Sequence, residues 1–267
     1  MFKGPLTGSK VMVIPLRRLI EATNALVTHL PESDMKKLKV NSGEHLAAIL
    51  ATAYLGRTPV GVEPFDGPDL VYAQDGDDPA VAIEIKSLPG PFRQYAAESE
   101  RHPDALLQIR VTAINDVMRE HGLPKILQAA KQLEAKVPAT LDFHVSKQVF
   151  LVSHPLDHVT MEALDNPYTI ANVLDPLPEL GDIEAVWLYL APDHLVRWRP
   201  AEQEWMGAFC GTQPADDPKH VYELIDGYDP EMTLLQNIEA LFLRGIGFEG
   251  RSPYQLAIDA GSDISAD

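Results

Sequence analysis

Two near-continuous apolar runs, at residues 147–153 and 183–190, restrict this chain to folds with a buried sheet. Strands that are apolar on both faces occur where helices cover both sides of a sheet. A helix fits between the two runs near residues 157–174. Helical spacing also precedes them at 103–120 and 124–136, which a Gly-Leu-Pro sequence separates. The pattern predicts an α/β protein with a mixed central sheet flanked by helices.

An acidic turn joins two further strand-like runs earlier in the chain. The runs are residues 69–73 and 80–87, and the sequence Gln-Asp-Gly-Asp-Asp-Pro at 74–79 separates them. Together with a short run at 60–63, they predict a three-stranded antiparallel meander. The turn lacks the spaced acidic ligands and distal Glu of an EF-hand, so a hairpin is favoured over a calcium loop.

Helical spacing also marks the N-terminal part of the chain. It runs through residues 16–30 and stops at a proline, and it returns at residues 46–54 before a glycine. Asn41 or Ser42 is the expected N-cap of this second helix, because their side chains accept hydrogen bonds from the first turn. Both segments are expected to pack on the sheet.

The C-terminal part of the chain is less regular. Residues 194–200 predict one more strand, and residues 232–243 predict a final amphipathic helix. No linker, repeat or low-complexity tract marks a clear domain boundary. We divide the chain into an N-terminal helical segment at 1–40, a core at 41–200 and an acidic C-terminal extension at 201–267 packed on the core.

Side chains with catalytic potential converge on the predicted hairpin. Strand alternation places Glu84 and Lys86 on one face, and the turn folds the strand that begins at Asp69 back beside them. Glu44 lies upstream, in the first turn of a predicted helix. Two carboxylates and an ammonium are what metal-assisted hydrolysis of a phosphodiester needs. Alternatively, Glu84 and Lys86 are neighbours on a solvated strand face, and Asp69 caps a turn.

The order of these residues resembles a known family. Pro-Asp at 68–69 is followed, after fourteen residues, by Glu-Ile-Lys at 84–86, and a helix that carries Glu44 comes first. This arrangement resembles the PD-(D/E)xK nuclease superfamily, which has the restriction-endonuclease-like fold. The resemblance covers residues 41–155, and it implies a core built in the order helix, strand, hairpin, helix, strand.

The resemblance also implies a role for each motif residue. Asp69 and Glu84 would hold one or two Mg²⁺ or Mn²⁺ ions with help from the Ile85 carbonyl. Glu44 would take a second metal or a metal-bound water. Lys86 would orient or activate the attacking water. His45 follows Glu44 on the same helix, where a surface position on that helix is favoured over one that faces the site.

Two groups of polar side chains are candidates for contacts with DNA. Gln108 and Arg110 follow the third strand of the meander, on a helix that often faces the phosphate in this family. Lys36 and Lys37 belong to a basic stretch near the N-terminus. Both groups have an equally simple interpretation as ordinary exposed polar residues.

An aromatic and basic group occurs in the otherwise acidic C-terminal half of the chain. Its members are Trp187, Trp198 and Trp205, with Arg197 and Arg199. Exposed together, they would stack nucleobases and contact phosphate. The favoured interpretation is that the tryptophans belong to the core and the arginines pair with nearby acids.

Charge limits the possible partners of the protein. The net charge is −17, and residues 155–267 hold five basic and twenty-one acidic side chains. Phosphate binding relies on Lys and Arg, so a protein partner or a second copy of the chain is expected to supply basic surface. Cys210 is the sole cysteine, which excludes an internal disulfide and favours the cytoplasm. No apolar run is long enough to predict a membrane span or a signal peptide.

These observations predict a metal-dependent nuclease that hydrolyses DNA, with a place in restriction or phage defence by family resemblance. Two alternatives stay open. One is a non-catalytic protein that uses the nuclease fold as a scaffold. The other is an acidic interaction or immunity protein that binds a basic partner, with the motif arising by coincidence.

Overall fold

A computed structural model describes residues 11–35, 37–38, 43–88, 114–137, 143–152, 167–190, 194–211 and 222–247. The strands are β1 (Val11–Pro15), β2 (Gly61–Val62), β3 (Leu70–Tyr72), β4 (Ala80–Ser87), β5 (Val145–Val152), β6 (Ile183–Leu190), β7 (His194–Arg199) and β8 (Glu204–Gly211). The helices are α1 (Leu16–His29), α2 (Glu32–Met35), α3 (Glu44–Leu55), α4 (Leu123–Lys136), α5 (Pro167–Val173) and α6 (Leu234–Gly245).

The eight strands of the described residues form one mixed sheet, in the order β1-β8-β7-β6-β5-β4-β3-β2. The β4, β5 and β6 strands are parallel, as are β1 and β8, and the remaining neighbours are antiparallel. The predictions of an α/β protein with a mixed, helix-flanked sheet and of an antiparallel meander are therefore confirmed. The apolar runs at 147–153 and 183–190 become β5 and β6, with other strands on both sides of each.

Helices cover both faces of this sheet and give the protein two hydrophobic layers. On one face, α1, α3 and α6 pack on side chains such as Ile83 and Phe150. On the other face, α4 and α5 pack on side chains such as Val149 and Val186. Burial on both faces explains why the central strands are apolar at nearly every position.

The β8 strand was not predicted from the sequence. Gly207 interrupts its apolar side chains and Gly211 ends it, so the strand pattern is weak. The β1 strand pairs with it in parallel, with Val11 opposite Gly207. The sheet therefore continues across the predicted segment boundaries near residues 40 and 200.

The predicted break between two helices at Gly-Leu-Pro does not occur. A π-helical turn, Met118–Gly122, leads directly into α4. Pro124 therefore lies within a continuous helical segment, directly after the π-helical turn. Residues 103–113 lie outside the described part of the chain.

The start of α3 also differs from the prediction. Its N-cap is Gly43, whereas the predicted caps Asn41 and Ser42 lie outside the described residues. The C-terminal end agrees with the prediction, since Gly56 closes the helix in the left-handed conformation. Among the helices that the structure describes, none has the length and apolar character needed to cross a bilayer.

Candidate active site

The hairpin of β3 and β4 brings Asp69 and Glu84 together. Leu70 is registered opposite Ile83, so the preceding Asp69 lies beside Glu84. The backbone N–H of Ile85 donates a hydrogen bond to Asp69 Oδ2 at 2.5 Å, which fixes the orientation of that carboxylate. The predicted convergence of these side chains is therefore present in the fold.

Glu84 is a buried carboxylate with two lysine partners. It is 1% exposed, and Lys86 Nζ donates to its Oε1 atom at 2.8 Å. Lys136 Nζ donates to both carboxylate oxygens, at 3.1 Å to Oε1 and 2.9 Å to Oε2. Such a carboxylate is retained in the interior because both ammonium groups compensate its lost hydration. The interpretation of Glu84 and Lys86 as solvated neighbours is wrong.

Lys136 is a further site residue, which no motif in the sequence identifies. It lies in the last turn of α4, which packs over β4 on the face that carries Glu84. Helical spacing is the one sequence signal for its position. Lys136 follows the buried Leu133 by three residues, so both lie on the same face of the helix. That face predicts a contact with the sheet, but the pattern does not identify which strand residue is contacted.

Burial and a neighbouring charge perturb Asp69. Desolvation by burial, and after it the negative charge of Glu84, raise the pKa of this carboxyl from 3.8 to about 6. The Ile85 N–H and the ammonium groups of Lys86 and Lys136 act in the opposite direction. Asp69 is therefore an anion at neutral pH that lacks full compensation, and an added cation would stabilise it.

Glu44 lies in the first turn of α3, at the same end of the sheet. The preceding Gly43 approaches Val152 closely, and Val152 is registered opposite Ser87 at the end of β4. The start of α3 therefore lies over the carboxyl ends of β4 and β5. Within the described ranges, no group of three or more His, Cys, Asp or Glu side chains is close enough to hold a metal. A metal-binding role for Glu44 stays a prediction.

Gly43 sets this approach, and replacing it with alanine is expected to loosen the start of α3. Its φ is +76°, and an added Cβ would lie 2.5 Å from Val152 Cγ1. Gly76, in the acidic turn, has φ +56° and no atom within 4 Å of an added Cβ. Gly43→Ala is therefore expected to lower the free energy of unfolding by about 1–3 kcal/mol more than Gly76→Ala does. Urea denaturation measures the free energy of unfolding of both variants. Equal decreases would show that the Val152 side chain moves to accommodate the added Cβ atom.

His45 is a core residue and not the predicted surface histidine. It is 0% exposed, its Nε2 atom donates to Glu239 Oε1 on α6, and its ring stacks on Phe242. This contact joins the C-terminal helix to the start of α3, directly after Glu44. Sequence spacing contained no signal for it, because the two partners are 194 residues apart.

Of the two lysines predicted to contact DNA, Lys36 and Lys37, the structure describes only Lys37. Lys37 Nζ donates to the Val62 carbonyl at 2.8 Å and lies 3.0 Å from Asp34 Oδ1. Its ammonium therefore holds α2 against β2. Lys36 and the other two predicted contact residues, Gln108 and Arg110, lie outside the described part of the chain.

The interpretation of the aromatic and basic group as an exposed surface is wrong. The three tryptophans Trp187, Trp198 and Trp205 are each 2% exposed or less. Trp187 Nε1 donates a hydrogen bond to Oε1 of the buried Gln148 at 2.9 Å. The favoured interpretation, that these tryptophans belong to the core, is confirmed.

The arginines of this group have contacts within the protein. Arg199 pairs with Glu202 and Glu204, as expected. The Arg197 guanidinium lies over the rings of Tyr54 and Trp187, at 5.4 and 5.1 Å from their centroids. Burial lowers the pKa of Arg197. Its position over two rings is typical of a cation–π contact at a core edge.

No protein-family model matches this sequence, and comparisons with curated proteins and with solved structures find no significant match. The chemistry of Asp69, Glu84, Lys86 and Lys136 therefore rests on their own geometry.

Proposed function

We propose that this protein is a metal-dependent nuclease that hydrolyses phosphodiester bonds in DNA. One observation carries the proposal: the half-buried Asp69 and the buried Glu84 are adjacent carboxylates, with two ammonium groups beside them. Adjacent carboxylates that are shielded from solvent repel each other and lower the stability of the fold. A protein that uses this fold only as a scaffold has no need to gather them.

The order of elements supports a relationship to the PD-(D/E)xK superfamily. Helix α3 precedes the antiparallel strands β2, β3 and β4, and helix α4 leads to β5, which is parallel to β4. This is the order helix, strand, hairpin, helix, strand that the resemblance implies. We infer that residues 41–200 contain a restriction-endonuclease-like core, to which β1 and β8 add further strands.

The donor set suits a hard divalent cation. Asp69 and Glu84 supply carboxylate oxygens, the Ile85 carbonyl is a neutral oxygen donor, and Mg²⁺ and Mn²⁺ prefer such ligands. The perturbed pKa of Asp69 fits this assignment, because the ionised carboxylate lacks a full counter-charge. When bound, the metal would lower the pKa of a coordinated water and neutralise charge on the phosphate.

The residues of the chain have separate tasks in this reaction. Asp69 is held by the Ile85 N–H, and Glu84 is held by the two lysines, so both carboxylates are preorganised. Lys86 supplies a positive charge next to the carboxylates, where it stabilises negative charge that develops on the phosphate. Glu44, from the start of α3, is proposed to hold a water or a second metal.

Net charge sets a condition on substrate binding. The chain carries −17 overall, and nucleic-acid backbones are bound by Lys and Arg. We propose that a protein partner or a second copy of the chain supplies basic surface, and that the protein acts in the cytoplasm in restriction or phage defence. A second candidate function follows from the same charge: an acidic interaction protein that binds a basic partner.

DNA cleavage assays test the proposal directly. Linear DNA, circular DNA and RNA are incubated with the full chain in Mg²⁺, in Mn²⁺ or in EDTA. Asp69→Asn and Lys86→Ala are each expected to lower the cleavage rate by about 10²-fold or more, because each removes a charge required in the transition state. Asp77→Asn, in the exposed part of the acidic turn, is the matched control and is expected to keep the wild-type rate.

The outcomes separate the two candidate functions. Cleavage that survives both Asp69→Asn and Lys86→Ala excludes this site as the source of activity. A wild-type protein that binds metal but cleaves none of the three substrates, alone or with added basic proteins, favours the acidic interaction protein.

A further inference from the structure

We propose that Lys136 is a positioning residue that competes with the metal ion for Glu84 and thereby sets the metal affinity of the site. This inference rests on the proposed metal site. In the metal-free protein, the Lys136 ammonium supplies the positive charge beside Glu84 that a bound metal ion would otherwise supply.

Contact geometry distinguishes Lys136 from Lys86. Lys136 Nζ lies between the two oxygens of Glu84, at 3.1 and 2.9 Å, whereas Lys86 Nζ contacts Oε1 alone at 2.8 Å. A carboxylate offers about four acceptor positions, and these contacts use three of them. A metal ion needs to approach a carboxylate oxygen to about 2.1 Å. The Lys136 ammonium therefore occupies the position from which a metal would reach both oxygens of Glu84.

The helix that carries Lys136 is fixed, but the side chain is free to leave. Ile126, Ala129 and Leu133 anchor α4 in the core, and the Val137 N–H closes the helix by donating to the Leu133 carbonyl at 2.9 Å. The Lys136 side chain is 24% exposed, so its flexible stem has a path to solvent. Release of Glu84 therefore requires a rotamer change and no movement of α4.

Charge balance explains why such a residue is needed. Without metal, Lys86 and Lys136 both pair with Glu84, which keeps this buried carboxylate compatible with folding. A divalent cation bound to both oxygens of Glu84 would repel the Lys136 ammonium and would compensate the Glu84 carboxylate in its place. Removal of the Lys136 charge is therefore expected to tighten metal binding by about tenfold or more.

The test is a calorimetric titration of the full chain with Mn²⁺ alone. Lys136→Met is expected to lower the Kd by about tenfold, and Lys86→Met is expected to lower it less because Lys136 still covers both oxygens. Lys131→Met removes an exposed charge from the same helix and is expected to keep the wild-type Kd. Asp69→Asn removes a metal ligand and is expected to abolish binding.

A second variant guards against misfolding. Lys136→Gln keeps a hydrogen-bond donor near Glu84 without the charge, and circular dichroism of each variant checks the fold. If Lys136→Met does not fold, the same decrease in Kd is required of Lys136→Gln.

Each outcome of the titration decides the inference. An unchanged Kd in the folded Lys136 variants overturns the inference, and so does an equal decrease of the Kd in Lys131→Met. In either case, DNA cleavage by the wild-type protein would leave the proposed function intact. A lower Kd in the Lys136 variants, without cleavage of any nucleic acid, supports the inference and removes the proposed function. Absence of Mn²⁺ binding in every variant overturns both.

Discussion

Replacing Glu84 with alanine is expected to lower the free energy of unfolding by about 3–5 kcal/mol. The carboxylate is 1% exposed and is the partner of Lys86 and Lys136, so its removal leaves two ammonium groups close together without compensation. Denaturant unfolding of the metal-free protein measures this loss. The matched control is Glu204→Ala, whose carboxylate pairs with Arg199 but is 30% exposed. Its cost is expected to stay below about 1 kcal/mol.

A triple variant separates lost charge compensation from lost packing. Glu84→Leu combined with Lys86→Met and Lys136→Met replaces the whole cluster with apolar side chains of similar volume. Such replacements are often neutral or stabilising, so the triple variant is expected to recover most of the stability lost in Glu84→Ala. If the triple variant is as unstable as the single one, loss of volume and not unpaired charge explains the effect.

Asp69→Asn is expected to stabilise the metal-free protein at neutral and higher pH by up to about 3 kcal/mol. Burial and the charge of Glu84 raise the pKa of Asp69 from 3.8 to about 6 in the folded state. The folded protein therefore holds this proton more tightly than the unfolded chain does. Asparagine keeps an oxygen acceptor for the Ile85 N–H and carries no charge.

The sign of the pH dependence follows from the raised pKa. Asp69 costs nothing well below pH 3.8, where it is protonated in both states, and its cost grows as pH rises from about 4 to about 6. The stability difference between Asp69→Asn and wild type should therefore be small near pH 4 and reach a plateau above about pH 7. Thermal unfolding across this range, without metal, measures the difference. A constant difference at all pH values would contradict the raised pKa.

Metal addition provides an independent check on the same pair of proteins. Mg²⁺ binds the ionised form of Asp69 in the proposed site, so it should raise the melting temperature of wild type above pH 7. Asp69→Asn lacks this ligand and should not respond. A metal response of the same size in both proteins would place the bound ion elsewhere in the chain.

Local patterns in the sequence predicted the hairpin and the residues on it. The acidic turn, the alternation of β4 and the spacing from Asp69 to Glu84 are contained within twenty residues, so strand geometry relates them directly. The same applies to β5 and β6, which are apolar because both of their faces are buried. The strand β8 escaped prediction since glycines interrupt its pattern.

The tertiary structure added what no local pattern contains. Lys136 reaches Glu84 across 52 positions, and His45 meets Glu239 across 194. Periodicity shows that a helix has a buried face, but the identity of the partner depends on how that helix packs against the sheet. The sequence by itself therefore determined the two carboxylates, Lys86 and the strands that carry them, because these depend on neighbouring backbone geometry. Only the packing of α4 on the sheet decided that Glu84 is buried beneath a second lysine, because long-range burial determines which charges must compensate each other.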